Sequence, residues 1–163
     1  MIPRVSSEKR KYVPIGYVPS EVVSSDAVQL VPNATFYEFG VLTSVVHNAW
    51  MRIVCGRLKS DYRYSNEIVY NNFPWPSVEA QDFASLQARI EQTAQDILDT
   101  RAKYPNSSLA DLYDDTFMPV ELRKAHEFND KAVMKAYGFD PNLSENEIVA
   151  ALFKMYKKLT DNQ

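Results

Sequence analysis

From Phe83 onward, apolar residues recur at three- and four-residue spacing. Phe83, Leu86, Ile90, Ala94, Ile97 and Leu98 make one stripe of a helix expected over 79–103 and stopped by Pro105. A short helical turn follows over 108–113. Pro119 suits the first position of a further helix, since it brings the right φ and lacks only a donor that would be free anyway. That helix continues through Leu122, Ala125, His126, Val133 and Tyr137 to a stop at Gly138. Ser144-Glu145-Asn146-Glu147 has the form of a capping box opening a last helix through Ile148, Leu152, Met155, Tyr156 and Leu159. The polar end, 160–163, is expected to fray.

The first half is mixed. Tyr12 to Val18 and Ala27 to Val31 are short β-favouring runs, separated by Pro19, Ser20, Ser24, Ser25 and Asp26. Pro14 would confine the first run to a sheet edge. Thr35-Phe36-Tyr37-Glu38 is another capping box, and Phe39, Leu42, Val46, Trp50, Ile53 and Val54 make one face of a helix expected over 36–54. Gly56 ends it. Residues 57–64, Arg-Leu-Lys-Ser-Asp-Tyr-Arg-Tyr, alternate, and the short β-favouring run Ile68-Val69-Tyr70 follows. On a single strand Arg57, Lys59, Asp61 and Arg63 would share one face, with Leu58, Ser60, Tyr62 and Tyr64 on the other.

Between the halves stands Asn71-Asn72-Phe73-Pro74-Trp75-Pro76, whose alternate prolines suit neither a helix interior nor a central strand. The expected division is therefore 1–76 and 77–163. The fold class expected is α+β: a small strand-and-helix segment followed by a mainly α-helical part.

Composition narrows the function. With 163 residues and 45% hydrophobic content the chain can bury a core, and 12% aromatic residues supply packing or stacking surfaces. No apolar run approaches the roughly 18 residues of a membrane span, and residues 1–17 lack the apolar centre of a secretory signal, so a cytoplasmic protein with no membrane partner is expected. Cys55 is the only cysteine, which excludes an internal disulfide, and with His47 and His126 it leaves too few ligands for a Cys/His zinc site. A buried thiol is its expected state. The net charge of −3 conceals an asymmetry: up to Pro76 there are eight Lys/Arg to six Asp/Glu, beyond it ten to fifteen. A mildly basic first half suits a polyanion, whereas the acidic second half does not suit wrapping by nucleic acid.

The alternating segment is the best candidate for chemistry. In a DNA major groove Lys donates to guanine O6 and N7, and Asp accepts from the cytosine amino group. Lys59 and Asp61, one strand repeat apart, have the chemistry to read both halves of a G·C pair. Arg63 would reach the next pair, leaving Arg57 and Arg52 for phosphates. By spacing alone, an exposed ladder of weak salt bridges is the better account of these residues. His47 and His126 sit on apolar stripes and are expected to be satisfied packing histidines rather than bases. Phe73 and Trp75 are expected to pack rather than stack on a base.

Four stretches of the first half, 10–17, 47–52, 55–65 and 70–76, resemble the end of the target recognition domain of MmeI-like enzymes. Residues 108–114, Met118-Pro119 through His126, and 135–139 resemble the helical domain that closes those proteins. The resemblance covers nearly the whole chain. It implies a type IIL or IIG restriction-modification protein that methylates adenine at N6, with base-reading positions falling on Lys59, Asp61 and Arg63. It also implies double-stranded DNA as partner, together with an upstream methyltransferase domain in the same or a separate chain.

The catalytic signatures of such enzymes are not expected within this chain. A glycine-rich turn for S-adenosylmethionine needs clustered glycines, whereas Gly16, Gly40, Gly56 and Gly138 are scattered; the cofactor belongs to the parent enzyme and none to this chain. Asn72-Phe73-Pro74-Trp75-Pro76 echoes the Asn-Pro-Pro-aromatic adenine motif, but its prolines are separated, and it reads as a hinge. Asp115 and Glu121, followed by Leu122-Arg123-Lys124, miss the nuclease acid-x-Lys spacing. The function expected is sequence-specific DNA recognition on behalf of a methyltransferase. Its rivals are a helical protein-interaction module without DNA contact and a complete enzyme with an unfamiliar site.

Overall fold

The computed structural model describes residues 1–19, 21, 24–79 and 82–161. Ser20 in the expected inter-strand break and Asn162-Gln163 of the polar end lie outside them. The fold is α+β. Its strands are short: β1 (Ile2–Pro3), β2 (Val5–Ser6), β3 (Val28–Gln29), β4 (Gly56–Leu58) and β5 (Asp61–Arg63). The helices are α1 (Phe36–Thr43), α2 (Val45–Val54), α3 (Phe83–Ala102), α4 (Leu109–Leu112), α5 (Val120–Ala136) and α6 (Glu145–Asp161). One two-stranded sheet pairs β1 with β3; a three-stranded antiparallel sheet has the order β2-β5-β4.

Several expectations need correction. The segment around Tyr12 to Val18 is not a strand. Tyr12, Val13 and Ile15 are all buried, and its backbone groups find side-chain partners: the Val13 amide donates to Asn48 Oδ1 at 3.0 Å and the Ile15 carbonyl accepts from Arg101 at 2.7 Å. Burial against helices, with polar side chains filling the backbone valences, replaced sheet pairing. Of the second run only Val28–Gln29 is a strand.

The helix expected over 36–54 is two helices. Ser44, with φ −75° and ψ 163°, closes α1 and caps α2, its Oγ accepting from the His47 amide. The break frees the amide of Val45, which donates to Asp130 Oδ1 at 2.7 Å on α5. A Ser side chain and a carboxylate 85 residues away thus satisfy what a straight helix would have bonded internally. Ile68-Val69-Tyr70 is likewise no strand but part of a π-helical turn, Asn66–Tyr70, where the Val69 carbonyl accepts from the Trp50 indole at 3.0 Å.

The second half follows its pattern more closely. Helix α3 starts at Phe83 rather than 79, Pro119 stands at the N-cap of α5 rather than inside it, and Gly138 leaves α5 with φ +67°, the left-handed conformation that favours glycine. Ser144 and Glu147 make the reciprocal bonds of the expected capping box.

The segments on either side of Pro76 bury their apolar faces in one core, where Trp50, Val46 and Val41 join Ile90, Ile97, Leu122 and Leu152. Helix α3 packs along α1 and α5, and α6 packs on α2. Gly40 is where α1 and α3 come closest: a Cβ there would stand 2.5 Å from Ile90 Cγ2, and Asn129 of α5 donates to the Gly40 carbonyl at 2.8 Å. The Asn72-to-Pro76 hinge is pinned to this core by buried Phe73 and by the Tyr137 hydroxyl, which donates to the Pro74 carbonyl at 2.9 Å.

Candidate nucleic-acid interface

Residues 57–64 form a hairpin, not the single alternating strand expected. Leu58 pairs with Asp61 across a two-residue turn, Arg57 with Tyr62, and Gly56 with Arg63. Lys59 is not a usual hairpin-turn residue, and Lys59-Ser60 lacks the glycine or asparagine that announces a reversal. Lys59 takes the left-handed conformation, φ 57°, at the first turn position, where glycine is the usual choice.

The reversal reassigns the faces, because directly paired residues of antiparallel strands project to the same side. Asp61 and Arg63 share the outer face with Leu58 and, from β2, Val5. Arg57 does not join them. It lies on the inner side with Tyr62 and Ser6, its guanidinium 4.1 Å from the Tyr62 ring, donating to the Ser60 carbonyl at 2.8 Å and 3.6 Å from Glu8. Lys59 projects from the tip. Tyr62 and Ser6 are buried, so the inner face is anchored while the outer face meets solvent. Among the described residues, the side chains of Lys59, Asp61 and Arg63 enter no ion pair, so the expected ladder of salt bridges is not what holds them. All three stay outside the helices, with Lys59 and Arg63 exposed and Asp61 half-exposed.

Arg52 is used differently from the expectation. It is largely covered, at 14% side-chain exposure, and bonds Glu145 at the start of α6 at 2.9 Å as well as the Lys11 carbonyl. Its guanidinium clamps α2, α6 and the N-terminal segment together, so a phosphate contact is not its geometry.

The polar groups of the interior are buried and mostly hydrogen-bonded. His47 has its Nδ1 2.8 Å from the Leu42 carbonyl and its Nε2 3.1 Å from the Tyr64 hydroxyl, and burial pushes its pKa down to about 4. His126 is also buried, its Nε2 2.6 Å from the Tyr113 hydroxyl, and burial holds it well below the usual histidine range. That hydroxyl accepts from Arg101 and therefore donates to His126, while the Tyr12 ring stacks on the imidazole at 4.2 Å. Both histidines are packing residues. Trp75 packs against Tyr37, Tyr70 and Phe73. Asp115 faces Arg123 and Glu121 accepts from Tyr104, so the two acids serve different partners. Among the described residues no three His, Cys, Asp or Glu side chains group as metal ligands, and no helix is long and apolar enough to cross a membrane. Cys55 is half-buried, and burial pushes its thiol up, away from reactivity.

The target recognition domain of MmeI matches residues 1–77, and the MmeI C-terminal domain matches residues 84–162. The chain belongs to the MmeI family. It is 48% identical to the Type IIL restriction-modification enzyme MmeI, solved in complex with DNA, and superposes with a TM-score of 0.92 over 98% of its own length and 21% of that chain. It is also 37% identical over 161 residues to DNA methyltransferase A of Bacillus subtilis (strain 168), covering 99% of this chain and 18% of that protein. The chain thus spans about a fifth of the length of each of these two relatives.

Sequence reasoning missed β2, which brings Val5 beside Arg63. Two residues are too short a run for alternation to register, and the pairing is made 58 positions away.

Proposed function

We propose that this chain is the DNA-recognition portion of an adenine-N6 DNA methyltransferase of the restriction-modification type, acting on double-stranded DNA in the cytoplasm. The observation that carries the reading is the hairpin: Lys59 at its tip and Asp61 and Arg63 on its solvent face, all without ion-pair partners among the described residues, within a segment matched to a target recognition domain. A two-stranded ribbon fits the major groove, where Lys59 donates to guanine, Asp61 accepts from cytosine and Arg63 addresses the neighbouring pair. Arg57 turns to the other side of the ribbon, where its side chain stays 45% exposed, and is left for a phosphate flanking the groove. The anchored inner face keeps the reading side chains in register.

Methyl transfer belongs to a methyltransferase domain of the same or a separate chain, which binds S-adenosylmethionine. The residues present here do not fit that cofactor. Gly40 is closed in by Ile90 and Asn129, the other glycines stand in separate segments, and Phe73 of the hinge is buried.

The test exchanges the charges, Lys59→Glu with Asp61→Arg, in the complete methyltransferase and sequences the methylated sites. A change of the preferred base at one position is expected; an unchanged site removes the base-reading role.

A further inference from the structure

We propose that Leu58 reads a thymine through its 5-methyl group, in the groove that Lys59, Asp61 and Arg63 enter. The inference rests on the DNA-recognition reading above and adds to it a residue with no charge and no hydrogen bond.

Leu58 lies on the edge strand β4 directly across from Asp61, and 50% of it is exposed. Val5, 41% exposed, stands across from Arg63 on the same face. A single exposed leucine needs no explanation. Here two aliphatic side chains flank the unpaired charged residues on the one face that the sheet turns outward. In the major groove the thymine C5-methyl is the feature that an aliphatic side chain distinguishes, since the other base-edge groups are donors and acceptors. Gly56 completes the face opposite Arg63. A Cβ there would come no nearer than 4.0 Å to Arg63, so packing does not demand glycine, and the missing side chain leaves room for a base edge to approach.

The test uses the complete methyltransferase and duplexes in which each thymine of the methylated site and its immediate flanks is replaced, one at a time, by deoxyuridine. Removing the contacted methyl should lower kcat/KM by about fourfold at one position. Leu58→Ser should abolish that difference, and Leu58→Met should keep it. Each comparison is a ratio of two substrates on one protein, so a smaller folded fraction cancels. Insensitivity to uracil at every thymine, or an undiminished difference in Leu58→Ser, overturns the proposal. If the Lys59/Asp61 exchange still moves the site in that case, the recognition role stands and only the thymine contact falls.

Discussion

The Tyr12 hydroxyl donates to Asp130 Oδ2 at 2.6 Å, joining the N-terminal segment to α5 across 118 residues of sequence. The other carboxylate oxygen accepts from Val45 at the break between α1 and α2. One buried side chain therefore joins the N-terminal segment, the α1–α2 junction and α5. Tyr12→Phe would leave a buried carboxylate oxygen without its donor. The expected loss is about 1.5–3 kcal/mol, read from the urea midpoint; an unchanged midpoint would show the bond to be dispensable.

The same carboxyl opposes the two histidines in acid. Burial pushes Asp130 up to about 6, so its folded form holds a proton that the unfolded chain releases near 4, and its contribution falls as pH rises through that window. His47 and His126 are held below the ordinary value of 6.5, so their contribution is present above 6.5 and lost as pH falls. Two groups outweigh one. Stability should fall as pH drops from about 6.5 toward 4, and Asp130→Asn should steepen that fall by removing the opposing group. Denaturant midpoints across the window measure both slopes, and equal slopes would refute the assignment.

Lys59 occupies a backbone conformation that costs a non-glycine residue about 1 kcal/mol. Lys59→Gly should raise the thermal midpoint while weakening discrimination at the guanine position. Stability and recognition moving in opposite directions would place the lysine there for the groove rather than for the turn. A lower midpoint would remove the strain argument.

Arg52 and Arg57 should separate in a salt titration of DNA binding. Arg57→Ala should reduce the slope of log affinity against log salt by about 1, as loss of one phosphate contact does. Arg52→Ala should leave that slope unchanged and instead cost about 1 kcal/mol of stability, through the lost Glu145 and Lys11 contacts. A reduced slope for Arg52→Ala would return it to the phosphate-contacting residues.

The helical second half was legible because its helices carry local signals of their own, a stripe, a cap or a stop: Ile90 and Ile97 on α3, Ser144 before α6, Gly138 after α5. Those signals are local, lying within a turn or two of the residues they govern. The candidate residues Lys59, Asp61 and Arg63 were legible as chemistry for the same reason, and their resemblance to a family gave them a context.

Their arrangement was not. Alternation along 57–64 describes one strand or two equally well, and no glycine or asparagine marks Lys59-Ser60 as a reversal. Only pairing with β2, and burial of Tyr62 against the rest of the molecule, decided that Arg57 faces inward and Leu58 outward. Ser44 breaks a helix that its apolar face would have continued, because Asp130 stands ready to take the freed amide. Sequence alone determined which segments are helical and which polar groups are available. Tertiary structure decided which of them face the same way, because partners distant along the chain set the direction of a side chain that local pattern leaves open.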